Sequence, residues 1–329
     1  EAVKSKLDTP IPLGYSNVGK VIDTGENVTS FKKGDRVVSN GPHAEIISIP
    51  QNLVAKIPAE VTNQEACFTI IGSIALQGIR LAKPTLGETI VVTGLGLVGL
   101  ITIQLLQANG CDVIGIDPDP KKQELAKSLG IETCNLSDKN DIQNWFLSKT
   151  NSTGVDAVII TATTASNDPI DIAASISRTR GRIILVGVVG LNIRRDLFYK
   201  KEISFQVSCS YGPGRYDEFY ETKGLDYPIG FVRWTLNRNF KTILFLLKNK
   251  KLKVDKLISE IFNIKDVGKA YEKLSKDKSV LGIIFKYDIE KPYLEKTLNL
   301  KSYSKKISNN LFNNKVSFIG SGNYASRIL

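Results

Sequence analysis

The stretch that decides the fold is Thr89-Ile90-Val91-Val92-Thr93-Gly94-Leu95-Gly96-Leu97-Val98-Gly99, in which an apolar run leads into three spaced glycines. The run has the length and the β-branched content of a buried strand, and the residues after it, 97–108, have the apolar pattern of a helix. A G-x-G-x-x-G turn is weak evidence by itself, because glycine-rich turns are common. Placed directly between a strand and a helix, it predicts the first βα unit of a Rossmann domain.

Each glycine of this turn has its own predicted task. Gly94 permits the tight turn, Gly96 leaves room for a pyrophosphate to approach the backbone, and Gly99 lets the helix pack closely on the strand. Free backbone N–H groups and the helix dipole then bind the phosphates, so Leu97 and Val98 join the glycines as candidate cofactor residues. The alternative interpretation is a tight βα turn that holds no ligand.

An acidic residue is expected about twenty residues beyond such a turn. Asp117 occupies that position, at the end of the predicted strand 112–116. A carboxylate there accepts hydrogen bonds from the adenosine ribose and repels a 2′-phosphate, which predicts NAD as the cofactor. Lys121 and Lys122 follow and could reach a 2′-phosphate, so NADP stays open.

Strands and helices alternate regularly after this unit, which predicts an α/β fold with a doubly wound parallel sheet. The further predicted strands are 156–161 and 182–188, and the further helices are 120–129 and 170–177. Before residue 87, β-rich runs at 19–22, 31–38 and 44–50 predict a small β domain, and a helix follows at 62–82. Beyond Ser204 the pattern is less regular, with an aromatic and glycine-rich loop at 210–216, helices at 240–249 and 266–274, and a strand at 282–285.

Composition narrows the class of protein. The 329 residues, 42% of them hydrophobic, are enough for two globular domains. We expect a cytoplasmic protein, because no apolar stretch is long enough to span a membrane and the start lacks the pattern of a signal peptide. Since the chain has no Met, we also expect residues before Glu1 to be missing. The formal charge of +11 is interleaved with acidic residues, so neither nucleic acid nor a membrane is a predicted partner. The four cysteines are scattered, without a CxxC pair, which indicates reduced thiols rather than a disulfide framework or a zinc knuckle.

Several segments, in addition to the glycine turn, are similar to the medium-chain dehydrogenase/reductase superfamily over roughly residues 10–287: 14–19, 31–37, 115–122 and 181–187. The resemblance implies a GroES-like catalytic domain over 1–86, completed by 251–288, around a Rossmann domain over 87–250. It places Val186, Gly187 and Val188 along the nicotinamide and Lys122 beside the adenosine ribose. Thr161, at the end of a predicted strand, is a further candidate cofactor residue.

Departures from the zinc-dependent members of that family are as informative as the matches. Where those members have Gly-His-Glu, this chain has Gly14-Tyr15-Ser16, and their later cysteine ligand falls near Ile70. The lobe that holds four cysteines is also missing, because Val38 runs almost directly to His43. The resemblance therefore implies an enzyme without a catalytic zinc.

A closer resemblance is to the bi-domain oxidoreductases, in which a zinc-less medium-chain module precedes one like glucose-fructose oxidoreductase and inositol dehydrogenase. It is carried by residues 72–78, 210–216, 226–235 and 320–325. It implies a sugar or nucleotide-sugar substrate in surface-polysaccharide biosynthesis. Residues 289–314 would then be a linker, and residues 315–329 the first strand and turn of a truncated second Rossmann module. Related folds also suggest a homodimer.

Without zinc, a side chain must stabilise the developing alkoxide and move its proton. The candidates are Tyr15 and Ser16, which occupy the lost ligand positions, the single histidine His43, and Tyr211 in the loop expected over the cleft. In the same loop, Arg215 and Tyr216 are candidate substrate-binding residues, since a guanidinium suits a sugar phosphate. Two alternatives stay open: a zinc-less NADPH-dependent quinone or enoyl reductase, and a catalytically silent dinucleotide-binding module.

Overall fold

A computed structural model describes residues 12–134 and 138–288 of the chain. Its strands are β1 Asn17–Lys20, β2 Arg36–Ser39, β3 Val54–Lys56, β4 Thr89–Thr93, β5 Asp112–Ile116, β6 Glu132–Cys134, β7 Val155–Ile160, β8 Ser177–Leu185, β9 Ser204–Val207, β10 Ile258–Asn263 and β11 Gly282–Lys286. Its α-helices are α1 Asn63–Ala66, α2 Thr69–Ala82, α3 Leu97–Ala108, α4 Pro120–Ser128, α5 Lys139–Lys149, α6 Asp168–Ile176, α7 Arg195–Tyr199, α8 Glu218–Glu221, α9 Leu236–Lys248 and α10 Val267–Lys276. The predicted linker and second module, 289–329, lie outside the described residues.

Six strands form a parallel sheet in the order β6-β5-β4-β7-β8-β9. The chain first builds outward from β4 through β5 to β6, then crosses back and continues through β7. The strand order therefore reverses between β4 and β7, and the crevice at the carboxyl ends of those two strands is the ligand site of such sheets. The predicted doubly wound sheet is confirmed.

The central strands are apolar because both faces of the sheet are covered. Ile90 and Val92 of β4 belong to one buried cluster, and Val91 between them belongs to a second cluster on the other face. All three side chains are fully buried. The glycine turn at the end of β4 is thus anchored to a rigid layer.

The remaining strands lie outside this sheet. Strands β1, β2 and β3 form an antiparallel sheet, and β10 pairs in parallel with β11. His43 packs its ring edge-on against Phe285 of β11, with ring centres 4.9 Å apart. The segment between β2 and β3 therefore contacts the last described strand. None of the helices in residues 12–134 and 138–288 has the length and apolarity needed to cross a bilayer.

Several predicted elements differ from the observed ones. Residues 44–50 form bends and irregular backbone and pair with no described strand. The predicted helix 62–82 is two helices, interrupted at Cys67 and Phe68, a break too short to disturb apolar periodicity. Strand β8 begins at Ser177 and ends at Leu185 instead of spanning 182–188. Sequence patterns also missed β6, which has three residues, and α5, whose outer face is polar.

Candidate active site: a dinucleotide cleft

The three glycines of the turn face different surroundings. A Cβ on Gly99 would lie 1.9 Å from the carbonyl oxygen of Gly94, and one on Gly94 would lie 2.5 Å from the backbone nitrogen of Ala162. Gly94 also has a φ of +94°, which L-residues rarely adopt. At Gly96 no atom lies within 4 Å of the position that a Cβ would take, and φ is an ordinary −73°. Two glycines are therefore required by packing, whereas Gly96 opens onto empty space at the start of α3.

Asp117 fastens the end of β5 to this turn. Its side chain is only 6% exposed; Oδ2 accepts the backbone N–H of Leu95 at 2.7 Å, and Oδ1 accepts that of Asp119 at 2.9 Å. The ammonium of Lys122 lies 3.9 Å from Oδ2. The predicted ribose-binding acid thus lies beside the predicted phosphate cradle, with a cation at its outer side.

Thr161, at the end of β7, bonds to the turn itself. Its hydroxyl donates to the carbonyl oxygen of Gly94 at 2.6 Å and lies 3.2 Å from that of Thr93. The structure gives Thr161 the task of holding the turn, and a direct contact with the cofactor stays a prediction. Ala162, which follows it, was not singled out from sequence, although it packs against Gly94.

The predicted nicotinamide residues lie on the other side of Ala162. Strand β8 ends at Leu185, and the backbone N–H groups of Val186 and Gly187 both donate to the carbonyl oxygen of Ile160. A Cβ on Gly187 would lie 2.1 Å from the carbonyl oxygen of Ala162, so this segment and the glycine turn approach the same residue. Val188 is 69% exposed. An exposed apolar side chain here is available to cover one face of a nicotinamide ring.

Tyr15 and Ser16, the residues in the lost metal-ligand positions, are held differently. Tyr15 is 52% exposed, and its backbone carbonyl accepts the side-chain amide of Asn40 at 2.8 Å. Desolvation raises the pKa of the Tyr15 phenol, so the hydroxyl keeps its proton. The Ser16 hydroxyl donates to the carbonyl of Cys67 at 2.6 Å and is engaged in the backbone. Of the two, only Tyr15 presents an acidic proton.

Tyr211 was predicted as a catalytic residue, but its side chain is only 3% exposed. Its hydroxyl donates to Oδ1 of Asn40 at 2.7 Å, and its carbonyl accepts the side-chain amide of Asn239 at 3.0 Å. Burial raises the pKa of Tyr211 far above its usual value. Asn40 therefore links the buried hydroxyl of Tyr211 to the backbone of Tyr15, and a direct catalytic role for Tyr211 stays a prediction.

His43 lies in an aromatic setting. A Cβ on Gly14 would lie 2.5 Å from its Nδ1, and its ring packs against Phe285 and Tyr271. Desolvation lowers the pKa of His43, so the imidazole is neutral at neutral pH. These contacts describe a packed side chain, and a proton-transfer role for His43 stays a prediction.

Arg215 and Tyr216 lie side by side in the loop after β9. The Arg215 guanidinium is 4.2 Å from the centre of the Tyr216 ring, and Tyr216 is 73% exposed. Nη1 of Arg215 is 2.6 Å from a carboxylate oxygen of Glu221, a partner that sequence reasoning missed. The charge that was predicted to meet a sugar phosphate is therefore partly neutralised within the protein.

The positions at which zinc-dependent relatives were expected to have ligands hold Tyr15, Ser16 and Ile70 in this chain. Among residues 12–134 and 138–288, no group of three His, Cys, Asp or Glu side chains is placed to hold a metal. Ile70 is fully buried, and desolvation raises the pKa of nearby Cys67 to about 11, which disfavours the thiolate that zinc requires. Tyr15 and Ser16 supply no nitrogen or sulfur ligand.

Comparison with known proteins agrees with this architecture. Residues 98–223 match the zinc-binding dehydrogenase family, and residues 2–59 match the alcohol dehydrogenase GroES-like domain. D-guloside 3-dehydrogenase of Escherichia coli K12 is 29% identical over 269 residues, which cover 79% of this chain and 72% of that protein.

Solved structures share the fold. Galactitol-1-phosphate dehydrogenase from Escherichia coli matches with a TM-score of 0.70 at 19% identity, covering 83% of this chain and 84% of its own. A mycobacterial protein in complex with NADPH matches with a TM-score of 0.65 at 23% identity, covering 83% and 81%. The predicted combination of a Rossmann sheet with a GroES-like domain is confirmed.

Proposed function

We propose that this chain, which belongs to the medium-chain dehydrogenase/reductase family and is an alcohol dehydrogenase-like oxidoreductase, transfers hydride at a hydroxyl or carbonyl carbon of a sugar or nucleotide sugar. In this proposal the cofactor is NAD and the reaction needs no zinc. The observation that carries the proposal is the open space at Gly96 beside the buried carboxylate of Asp117. A phosphate cradle and a ribose-binding acid are the two parts that a dinucleotide needs.

NAD supplies the hydride-accepting carbon when it is bound, and the chain supplies binding and orientation. The start of α3 offers the backbone N–H groups of Leu97 and Val98 to the pyrophosphate. Asp117 favours a ribose with free hydroxyls, because its charge repels a 2′-phosphate. The ammonium of Lys122 lies 3.9 Å from the Asp117 carboxylate and partly offsets its negative charge. Lys122 therefore weakens the preference for NAD over NADP without abolishing it.

Tyr15 is the proposed proton donor. Among the described residues no hydrogen bond engages its hydroxyl, its ring is half exposed, and its raised pKa keeps the phenol protonated. In the reducing direction, the carbonyl carbon receives the hydride while the carbonyl oxygen takes the Tyr15 proton, and the phenolate is then reprotonated from water. In the oxidising direction the Tyr15 phenol must first release its proton to water, and the phenolate oxygen then accepts the proton of the alcohol.

The substrate class rests on the relatives and on Arg215. D-guloside 3-dehydrogenase and galactitol-1-phosphate dehydrogenase are, by name, enzymes of sugars and polyols. The N–H groups of Arg215 that do not face Glu221 can bond a hydroxyl or phosphate, and exposed Tyr216 offers a ring for a sugar to pack on. A place in surface-polysaccharide biosynthesis, a second module after residue 314 and a homodimer belong to the same proposal.

The test combines cofactor titration with turnover. We expect NADH to bind at least tenfold more tightly than NADPH in calorimetry, and nucleotide sugars to be turned over in the presence of a strong zinc chelator. Tyr15→Phe should lower kcat by about 10²- to 10⁴-fold and leave the Kd for NADH unchanged. No heat with either dinucleotide would overturn the proposal.

The alternatives give different results in the same assay. Preference for NADPH together with turnover of electron-poor alkenes would identify a quinone or enoyl reductase. Cofactor binding with no turnover of any carbonyl compound would identify a silent dinucleotide-binding module. Activity abolished by chelation and restored by Zn²⁺ would refute the zinc-independent mechanism.

A further inference from the structure

Two arginines, Arg80 of α2 and Arg233, stack on the ring of Trp234. The guanidinium carbon of Arg80 lies 3.4 Å from the centre of the Trp234 ring, and that of Arg233 lies 3.8 Å from the same centre. Two planar groups cannot both come this close on one side of a ring, so they occupy opposite faces. Their charges are consequently held about 7 Å apart or less.

Neither charge has an acidic partner. Among residues 12–134 and 138–288, no carboxylate forms an ion pair with Arg80 or Arg233. Other half-buried arginines of the chain are paired in this way, such as Arg178 with Asp156 and Arg182 with Glu88. The stack is therefore a concentration of positive charge that the described protein does not neutralise.

Arg80 is held rigidly in this position. It projects from α2, and its Nε donates to Oδ1 of Asn239 on α9 at 2.8 Å. Nη2 makes only a long contact of 3.5 Å with the hydroxyl of Thr242, and no described acceptor engages Nη1. Burial, together with the charge of Arg233, lowers the pKa of Arg80 to about 10. The protein thus tolerates the electrostatic cost of a partly desolvated cation next to a second one.

We propose that the edge of the Arg80–Trp234–Arg233 stack binds a phosphoryl group. Three acceptor oxygens can bond guanidinium N–H groups on both sides of the indole, and a doubly charged anion removes the repulsion between them. Arginine is suited to this task because its planar donors match phosphate oxygens. Stacking on the indole orients both guanidinium groups before the ligand binds, which lowers the entropy lost on binding. This site goes beyond the proposed function and does not depend on it.

Trp234 can report the binding directly. The chain has two tryptophans, so a Trp145→Phe background leaves Trp234 as the only one. We expect its fluorescence to change saturably with inorganic phosphate at constant ionic strength, and not with sodium chloride. A parallel titration with a hexose 1-phosphate identifies the source: tighter binding indicates a phosphate ester, and equal binding indicates free phosphate.

Variants separate this site from the dinucleotide cleft. Arg233→Gln should weaken phosphate binding at least tenfold, and because Arg233 is exposed the fold is kept. The matched control is Arg195→Gln, which removes an arginine stacked on Tyr199 elsewhere, and it should change nothing. The response should also survive Gly96→Asp, which closes the glycine turn to phosphates. A response that is absent, equal with chloride, or unchanged in Arg233→Gln would show that the stack is only a packing device.

Discussion

The carboxylate of Asp117 accepts the backbone N–H of Leu95 at 2.7 Å, so the acid at the end of β5 is part of the glycine turn at the end of β4. One side chain therefore carries two tasks: it fixes the shape of the phosphate cradle and presents a negative charge to the sugar beside it. The second oxygen is also engaged, by the N–H of Asp119 at 2.9 Å. A ligand hydroxyl must consequently donate to lone pairs that these amides leave free, which each carboxylate oxygen has.

Asp117→Asn should weaken NADH binding more than NADPH binding. The amide keeps the size of the side chain, but it can accept only one of the N–H groups of Leu95 and Asp119. It also removes the charge that strengthens hydrogen bonds from a ribose and repels a 2′-phosphate. We expect the Kd for NADH to rise about tenfold, equivalent to about 1.4 kcal/mol, and the preference between the two cofactors to narrow. Calorimetric titration of each cofactor measures both effects.

Asp119→Asn is the matched control. Asp119 caps α4 by accepting the N–H of Lys121 at 2.9 Å and does not bond to the glycine turn. Asparagine is an equally good N-cap, so stability and cofactor binding should both be retained. Equal losses in the two variants would mean that the general negative charge of this edge, rather than Asp117, sets the affinity.

The parts of the site that sequence could predict are those encoded within one βα unit. Gly94, Gly96 and Gly99 are spaced by the turn that they form, and Asp117 follows at the distance that one helix and one strand require. Residues that form hydrogen bonds across long sequence separations have no comparable pattern of spacing. The hydroxyl of Tyr211 meets Asn40 across 171 positions, so the loop that was expected to offer a catalytic phenol instead buries it. Composition cannot distinguish those two outcomes.

Tyr211→Phe should impair positioning rather than binding. The variant deletes the donor to Asn40, whose amide holds the carbonyl of Tyr15 at 2.8 Å. We expect a loss of about 1 kcal/mol in the free energy of unfolding, measured with urea. We also expect kcat to fall severalfold while the Kd for NADH stays constant, because the glycine turn is untouched. Tyr199→Phe, at an exposed tyrosine, serves as the control and should leave both quantities unchanged.

His43 should make the fold sensitive to mild acid. Burial lowers the pKa of the folded imidazole below its unfolded value of about 6.5, so the unfolded chain takes up a proton first. The stability contributed by neutral His43 is complete above about pH 6.5 and is lost as the pH falls from there toward the folded pKa. Carboxylates such as Asp35 and Asp168, whose pKa values ion pairs lower, act only in more acidic solution.

Because His43 is the only histidine, one substitution isolates this effect. Urea unfolding of the wild type should show lower stability at pH 5.5 than at pH 7.5, and His43→Gln should show a flatter dependence over that interval. A slope that persists in the variant would assign the acid sensitivity to other groups. Turnover by His43→Gln settles its proton-transfer role separately: retained kcat leaves the histidine as a packing residue.

The glycines of the turn should separate folding from binding. Gly99→Ala places a Cβ 1.9 Å from the carbonyl oxygen of Gly94, and neither backbone can yield, so we expect a loss of about 1–3 kcal/mol in stability.

Gly96→Asp points its side chain into open space with a φ of −73°, and aspartate is a favoured N-cap for the helix that starts there. Its thermal stability should equal or exceed that of the wild type, while its charge repels the pyrophosphate and raises the Kd for NADH at least a hundredfold, equivalent to about 2.7 kcal/mol. Thermal unfolding of the two variants measures the change in stability, and NADH titration measures the change in affinity. A Gly96→Asp protein that binds NADH normally would show that the start of α3 is not the phosphate site.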